Sequence, residues 1–244
     1  ALAAYQKGLA GRKALICYAL KANSHLAILQ VLARAGCGFD TVSQGEIMRA
    51  LKDGAAPEKI TVIPHGTHLV PHLDKDTLKE KYGMPGRTIL STFGLLSAGK
   101  GIETTLEALP AIIQAHPDTL FLIIGKTHPT IVQQEGEQYR MMLKAKIDEL
   151  SLGSHVQFIN RYLPLPDLLE YLQLTDIYLF TSKDPNQAVS GTFSYAISCG
   201  CAVVSTPIPH AREVLLGDAG VIIDFDNSEQ LSAAVVSLLE NDEY

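Results

Sequence analysis

The sequence predicts an α/β protein whose larger part is a doubly wound parallel sheet, and three observations predict it. Apolar runs of strand length alternate with helix-period segments almost from end to end, the signature of βαβ units. The runs are short, β-branched and apolar, as strands covered on both faces must be. With 244 residues, 47% hydrophobic and 19% charged, the chain can bury a large core, which excludes disordered and collagen-like classes.

Residues 1–60 read as strand KALICYAL, helix SHLAILQVLARAG, strand CGFDTVS, helix QGEIMRALKDG and a third strand opening at PEKI, a βαβαβ unit. Residues 61–244 form a second domain. Its expected strands are TVIPH, TILSTFG from Thr88, LFLIIG from Leu120, VQFI from Val156, DIYLF from Asp176, AVVS from Ala202 and GVIID from Gly220. Between them, IETTLEALPAIIQA, EQYRMMLKAKIDEL, LPDLLEYLQL and SEQLSAAVVSLLEN repeat apolar residues at helical spacing. A sheet of this order takes its ligands at the carboxyl ends of the strands.

Charge and cysteine usage narrow the partners. A formal net charge of -6 and a pI near 5.7 argue against nucleic acid or an anionic membrane as a bulk electrostatic partner, while leaving room for a local phosphate pocket. No apolar run is long enough to span a bilayer, and the opening residues order charge and apolar block wrongly for a signal peptide, so the chain reads as cytoplasmic. Its start in helix-like sequence without methionine implies that the natural start is missing. Cys17, Cys37, Cys199 and Cys201 lie in apolar stretches without zinc-type pairing and are expected to be buried thiols. His65, His68 and His72 lack helix or finger spacing, and no metal is expected.

The run YALKANSHLAILQVLARAGCGFDTVSQGEIMRALKDGAAPEKI resembles the early barrel of the fold-type III pyridoxal-phosphate decarboxylases, the diaminopimelate decarboxylases above all. That resemblance covers about sixty residues and implies a TIM-type barrel fragment with Lys21 as the Schiff-base lysine. A lysine at the end of an apolar strand suits the role, because desolvation favours the neutral, nucleophilic amine. The glycine-rich phosphate cup and the other groups that would hold the ring are absent from the sequence, so pyridoxal phosphate belongs only to an alternative reading.

The second domain carries phosphate chemistry of its own. In FGLLSAGKGIETTLEALP, Gly94, Gly99 and Gly101 let backbone approach a ligand beyond a strand, and Lys100 puts a charge beside a helix amino terminus, where a cation is not otherwise favoured. In QAVSGTFSYAISCG, Ser190, Gly191 and Thr192 open another helix and bring free N–H groups to a second anion site. Together with VIPHG, LFLIIGKTHP and VQFINRYLP, these motifs in this order resemble the carboxy-terminal domain of GT-B retaining glycosyltransferases, family 4 or group 1 type.

That resemblance implies transfer of a sugar from a nucleotide diphosphate donor, no required cofactor, and Lys100 on the donor pyrophosphate. It also places Gln187 and Tyr195 where the family has two glutamates, one meeting the donor sugar and the other the ribose. Leu95 stands where an arginine is common, which removes one cation. Gly125 would leave room for base or ribose, with Lys126 and His128 near the same sheet edge, and Arg161 follows another strand. The acceptor, and the acceptor half that normally precedes the donor half, are not readable here; a homodimer would cover the leading fragment. Two alternatives stay open: a catalytically incomplete nucleotide-binding chimera, and a remnant decarboxylase using Lys21.

Overall fold

In the computed structural model the described residues are 1–42, 44–52, 54, 61, 63, 66–68, 71–217 and 220–241. The chain divides into two compact units, residues 1–64 and 65–244.

The first unit alternates as expected. Helix α1 (Leu2–Gly8), strand β1 (Cys17–Ala19), helix α2 (Leu26–Arg34), strand β2 (Gly38–Asp40) and helix α3 (Gln44–Lys52) follow one another, and β1 pairs in parallel with β2. The strands are much shorter than the apolar runs that contain them. Leu20, Leu29 and Ala50 form its small core, with Tyr18 and Phe39 packed against them. Cys17 corrects the expectation of four buried thiols: it opens β1 and is exposed, whereas Cys37, Cys199 and Cys201 are buried. Cys17 lies outside the small core of Leu20, Leu29 and Ala50. The strand expected at PEKI lies outside the described residues, as do His65 and most of TVIPH; of the latter, Thr61 and Ile63 are described, exposed and not in a strand.

The second unit begins with helix α4 (Lys75–Lys81), capped by Asp74, whose carboxylate accepts from the Thr77 N–H at 2.8 Å. Strand β3 (Thr88–Phe93), helix α5 (Ile102–Ala115) and strand β4 (Thr119–Ile124) follow. Next come helices α6 (Pro129–Glu135) and α7 (Gln138–Glu149), strand β5 (Val156–Ile159) and helix α8 (Leu165–Gln173). Strand β6 (Ile177–Phe180), helix α9 (Gly191–Ser198), strand β7 (Ala202–Ser205), helix α10 (Pro209–Val214), strand β8 (Val221–Ile222) and helix α11 (Ser228–Leu239) complete it.

All the pairings of its sheet are parallel, in the order β5-β4-β3-β6-β7-β8. Counted from the first strand of the unit this is the 3-2-1-4-5-6 order of a doubly wound sheet, and it reverses between β3 and β6. Every residue of β4 and of β6 is buried, and the side chains alternate between two cores. Leu120, Leu122 and Ile124 pack with Tyr178, Phe180, Phe193 and Leu172 on one face; Phe121 and Ile123 pack with Leu106, Leu109, Leu143 and Leu231 on the other. Asp176 ties the amino ends of the central strands together. Its carboxylate accepts from the Ile89 N–H at 2.7 Å and from Lys79 Nζ at 2.8 Å, and its own N–H donates to the Ile89 carbonyl at 2.8 Å.

Candidate nucleotide-diphosphate site

The loops after β3 and β6 leave the sheet at its switch point, the place where doubly wound sheets take their ligands. The loop after β3 ends in a 3₁₀ turn, Ala98–Lys100, and Gly101 then takes left-handed φ (59°) as the cap of α5. Glycine is required there on two counts, since a Cβ would also lie 2.3 Å from the Thr181 carbonyl oxygen. Thr181 Oγ1 donates to the Lys100 carbonyl at 2.9 Å, and the Lys183 N–H donates to the Gly99 carbonyl at 2.9 Å. The glycine–lysine turn is therefore held by the loop after β6.

Lys100 points across this junction. Its ammonium lies 5.6 Å from the centre of the Phe180 ring, and a Cβ on Gly94 would stand 3.2 Å from its Nζ and 3.4 Å from Thr192 Cγ2. Three residues expected at the site, Gly94, Lys100 and Thr192, thus converge from two loops. The ion pairs of the described residues include none for Lys100, and burial pushes its ammonium below the ordinary lysine range. An unpaired, partly desolvated cation costs free energy that a bound anion would offset.

Helix α9 brings its amino end to the same junction. Buried Ser190 is its N-cap, with Oγ accepting from the Phe193 N–H at 3.3 Å and lying 3.0 Å from Thr192 Oγ1. The Ser190 N–H donates to His210 Nδ1 at 3.0 Å, so the imidazole carries its proton elsewhere. With Ser190 and Phe193 engaged inside the protein, the N–H groups of Gly191 and Thr192 remain at the positive end of the helix. Beneath them lies Tyr178, fully buried, its hydroxyl pushed up to about 12 by that burial.

Other expected residues are placed less centrally. Gln187 is half-buried in the loop before α9, and its Oε1 accepts from Ser182 Oγ at 2.7 Å. The Tyr195 hydroxyl is 2.7 Å from His68 Nδ1 with the rings stacked, a pairing that sequence reasoning missed. Gly125 has a backbone reason of its own: with φ of 131°, a Cβ there would stand 2.1 Å from the Gly94 carbonyl oxygen. His128 caps α6, accepting from the Thr130 N–H at 3.2 Å. Gly99 enters the glycine–lysine turn through its carbonyl, held by the Lys183 N–H, while Arg161 is exposed beyond edge strand β5 and is not drawn into the Lys100–Thr192 junction. Sequence reasoning also missed His210 and Lys183, each of which acts across the fold on a loop of the site. Leu95 is exposed at the mouth of the first loop.

Comparison with known proteins decides the family. Residues 74–244 match the family described as glycosyl transferases group 1. The chain belongs to the group 1 glycosyl transferases. Residues 1–69 match the pyridoxal-binding domain of the pyridoxal-dependent decarboxylases, so a decarboxylase-type segment precedes the group 1 domain.

Among curated proteins, a diaminopimelate decarboxylase of Helicobacter pylori strain J99 is 62% identical over 56 residues, 23% of this chain and 14% of the relative. The GDP-mannose-dependent alpha-(1-6)-phosphatidylinositol monomannoside mannosyltransferase of Mycolicibacterium smegmatis is 24% identical over 188 residues, 70% of this chain and 46% of the relative. The chain thus spans a seventh to a half of these relatives. Among solved structures, Anabaena HepE in complex with UDP and glucose aligns with a TM-score of 0.70 at 21% identity, covering 99% of this chain and 66% of that one. WaaG, a glycosyltransferase involved in lipopolysaccharide biosynthesis, gives 0.64 at 20%, covering 83% and 54%. These structures share the GT-B fold.

Lys21, the expected Schiff-base lysine, is exposed just beyond β1. Nearby polar groups are engaged with one another: Asn23 Oδ1 accepts from the His25 N–H at 2.9 Å, and Ser24 Oγ accepts from Arg49 at 2.6 Å. These residues do not fit pyridoxal phosphate, whose ring and phosphate need groups free to orient them.

Proposed function

We propose that residues 61–244 are the donor-binding half of a retaining glycosyltransferase, with residues 1–60 as an appended barrel fragment, and that the junction of the loops after β3 and β6 holds the diphosphate of a nucleotide sugar. The observation that carries this reading is Lys100: a partly desolvated ammonium without an ion-pair partner among the described residues, facing Thr192 at the amino end of α9. An anion is the ligand that this pairing of charge and helix end favours. That HepE was solved with UDP and glucose, and that the mycobacterial relative is GDP-mannose-dependent, supports a nucleotide sugar over an inorganic anion.

In the proposed reaction the bond between the anomeric carbon and the diphosphate oxygen breaks, and its electron pair leaves with the nucleotide. An acceptor hydroxyl oxygen bonds the anomeric carbon from the same face, its proton passing to the departing diphosphate. Lys100 and the Gly191 and Thr192 N–H groups meet the charge that develops there. A pre-placed donor of this kind is worth about 3 kcal/mol in favourable sites. The family pattern assigns Gln187 to the donor sugar and Tyr195 to the ribose, each by exchanging its present partner, Ser182 or His68, for the donor, and Gly125, His128 and Arg161 to other parts of the donor. Titration with UDP, GDP and their sugars tests the reading. Saturable binding is expected, and Lys100→Ala should weaken it by at least about tenfold, the size of one lost charge-assisted contact. Binding indifferent to that substitution removes Lys100 from the site.

A further inference from the structure

The loop after β6 carries a lysine that the diphosphate grip does not use. Lys183 Nζ lies 2.9 Å from Glu103 Oε1 and 2.9 Å from Asp226 Oδ1, while its N–H holds the Gly99 carbonyl. Glu103 stands in the first turn of α5, directly after the glycine–lysine turn. Its other oxygen accepts from the Tyr139 hydroxyl at 2.7 Å, and that hydroxyl oxygen accepts from the Ile102 N–H at 3.2 Å. Burial pushes the Glu103 carboxyl up, but the hydrogen bonds from Lys183 and Tyr139 outweigh it, and the group sits below the ordinary glutamate range. At neutral pH Glu103 is therefore a fixed negative charge.

That charge is well placed for α5 and badly placed for a diphosphate. An acidic residue in a first turn favours the helix dipole, yet it opposes a second anion drawn to the same end. We propose that Lys183 is a positioning residue of the diphosphate site: its ammonium, shared between Glu103 and Asp226, offsets the acidic charge next to the glycine–lysine turn, so that less of it opposes an anion at Lys100. The proposal rests on the donor-site reading above.

A charge cycle tests it. The chain and its variants are titrated with UDP and GDP, and Lys100→Ala is run in parallel. Lys183→Met should weaken diphosphate binding about tenfold, while Lys183→Arg, which keeps the charge, stays within about threefold of the parent. Adding Glu103→Gln to Lys183→Met should bring affinity back to within about threefold of the parent, a rescue that a purely structural role for Lys183 would not show. Glu103→Gln alone, which does not depend on Lys183→Met folding, should bind at least as tightly as the parent. The proposal is overturned if Lys183→Met matches the parent, if the double variant stays as weak as Lys183→Met, or if Glu103→Gln weakens binding. Parent binding that responds to Lys100→Ala but not to the Lys183 series would remove this proposal alone; absence of any saturable binding would remove the donor-site reading with it.

Discussion

Lys100 concentrates the chemistry at the residue scale, because burial lowers its pKa and the proposed anion would raise it again. The linkage gives a sign. On the proposed reading protonated Lys100 binds the diphosphate and neutral Lys100 does not, so affinity should be full at neutral pH and fall as pH rises, beginning below the ordinary lysine value of 10.5. Lys100→Arg keeps its charge throughout that range, and its UDP or GDP affinity should stay level where the parent's declines. Calorimetric titrations from pH 7 upward check this; parallel declines in both proteins would assign the titration elsewhere. Lys100, Gly101 and Ser190 were legible in the sequence because each sits at a helix start, where glycine, an N-cap serine or a misplaced cation has a local reason. His68, His210 and Lys183 were not, since their partners lie far along the chain: His68 and Tyr195 are 127 residues apart.

At the scale of elements, β3 and β4 and helices α5, α7, α8 and α11 lie where apolar periodicity put them, because long two-faced patterns leave little choice of period. The sequence reading passed over α4, α6 and α10. They have six or seven residues each, too few to show a repeat, and tertiary contacts hold them. Helix α4 is an example. Lys79 is 7% exposed, and its ammonium meets Asp176, which also accepts from the Ile89 N–H and from Lys75 at 3.1 Å. Asp176→Ala would leave a buried cation and a strand N–H without their acceptor, and should cost about 3 kcal/mol. Asp176→Asn, which can still accept from Ile89, should cost less. Urea denaturation of the two variants against the parent checks the size and the order, and equal losses would show that the charge of Asp176 carries the whole contribution and that an uncharged acceptor for Ile89 restores nothing.

On the scale of the whole molecule, two family models meet within a few residues, one ending at 69 and the other beginning at 74. A chain of net charge -6 gathers its relevant positive field locally, in one lysine and one helix end at the switch point of a single sheet. The fold class was readable because both segments use the same alternation, while the seam between them was readable only from motifs. No helix among the described residues is long and apolar enough to cross a membrane. The structure of the chain crystallised with UDP or GDP is the most direct test of the central claim. The account predicts phosphate oxygens within about 3 Å of Lys100 Nζ and of the Gly191 and Thr192 N–H groups. A nucleotide bound elsewhere, or one whose phosphates turn away from Lys100 and α9, would contradict it.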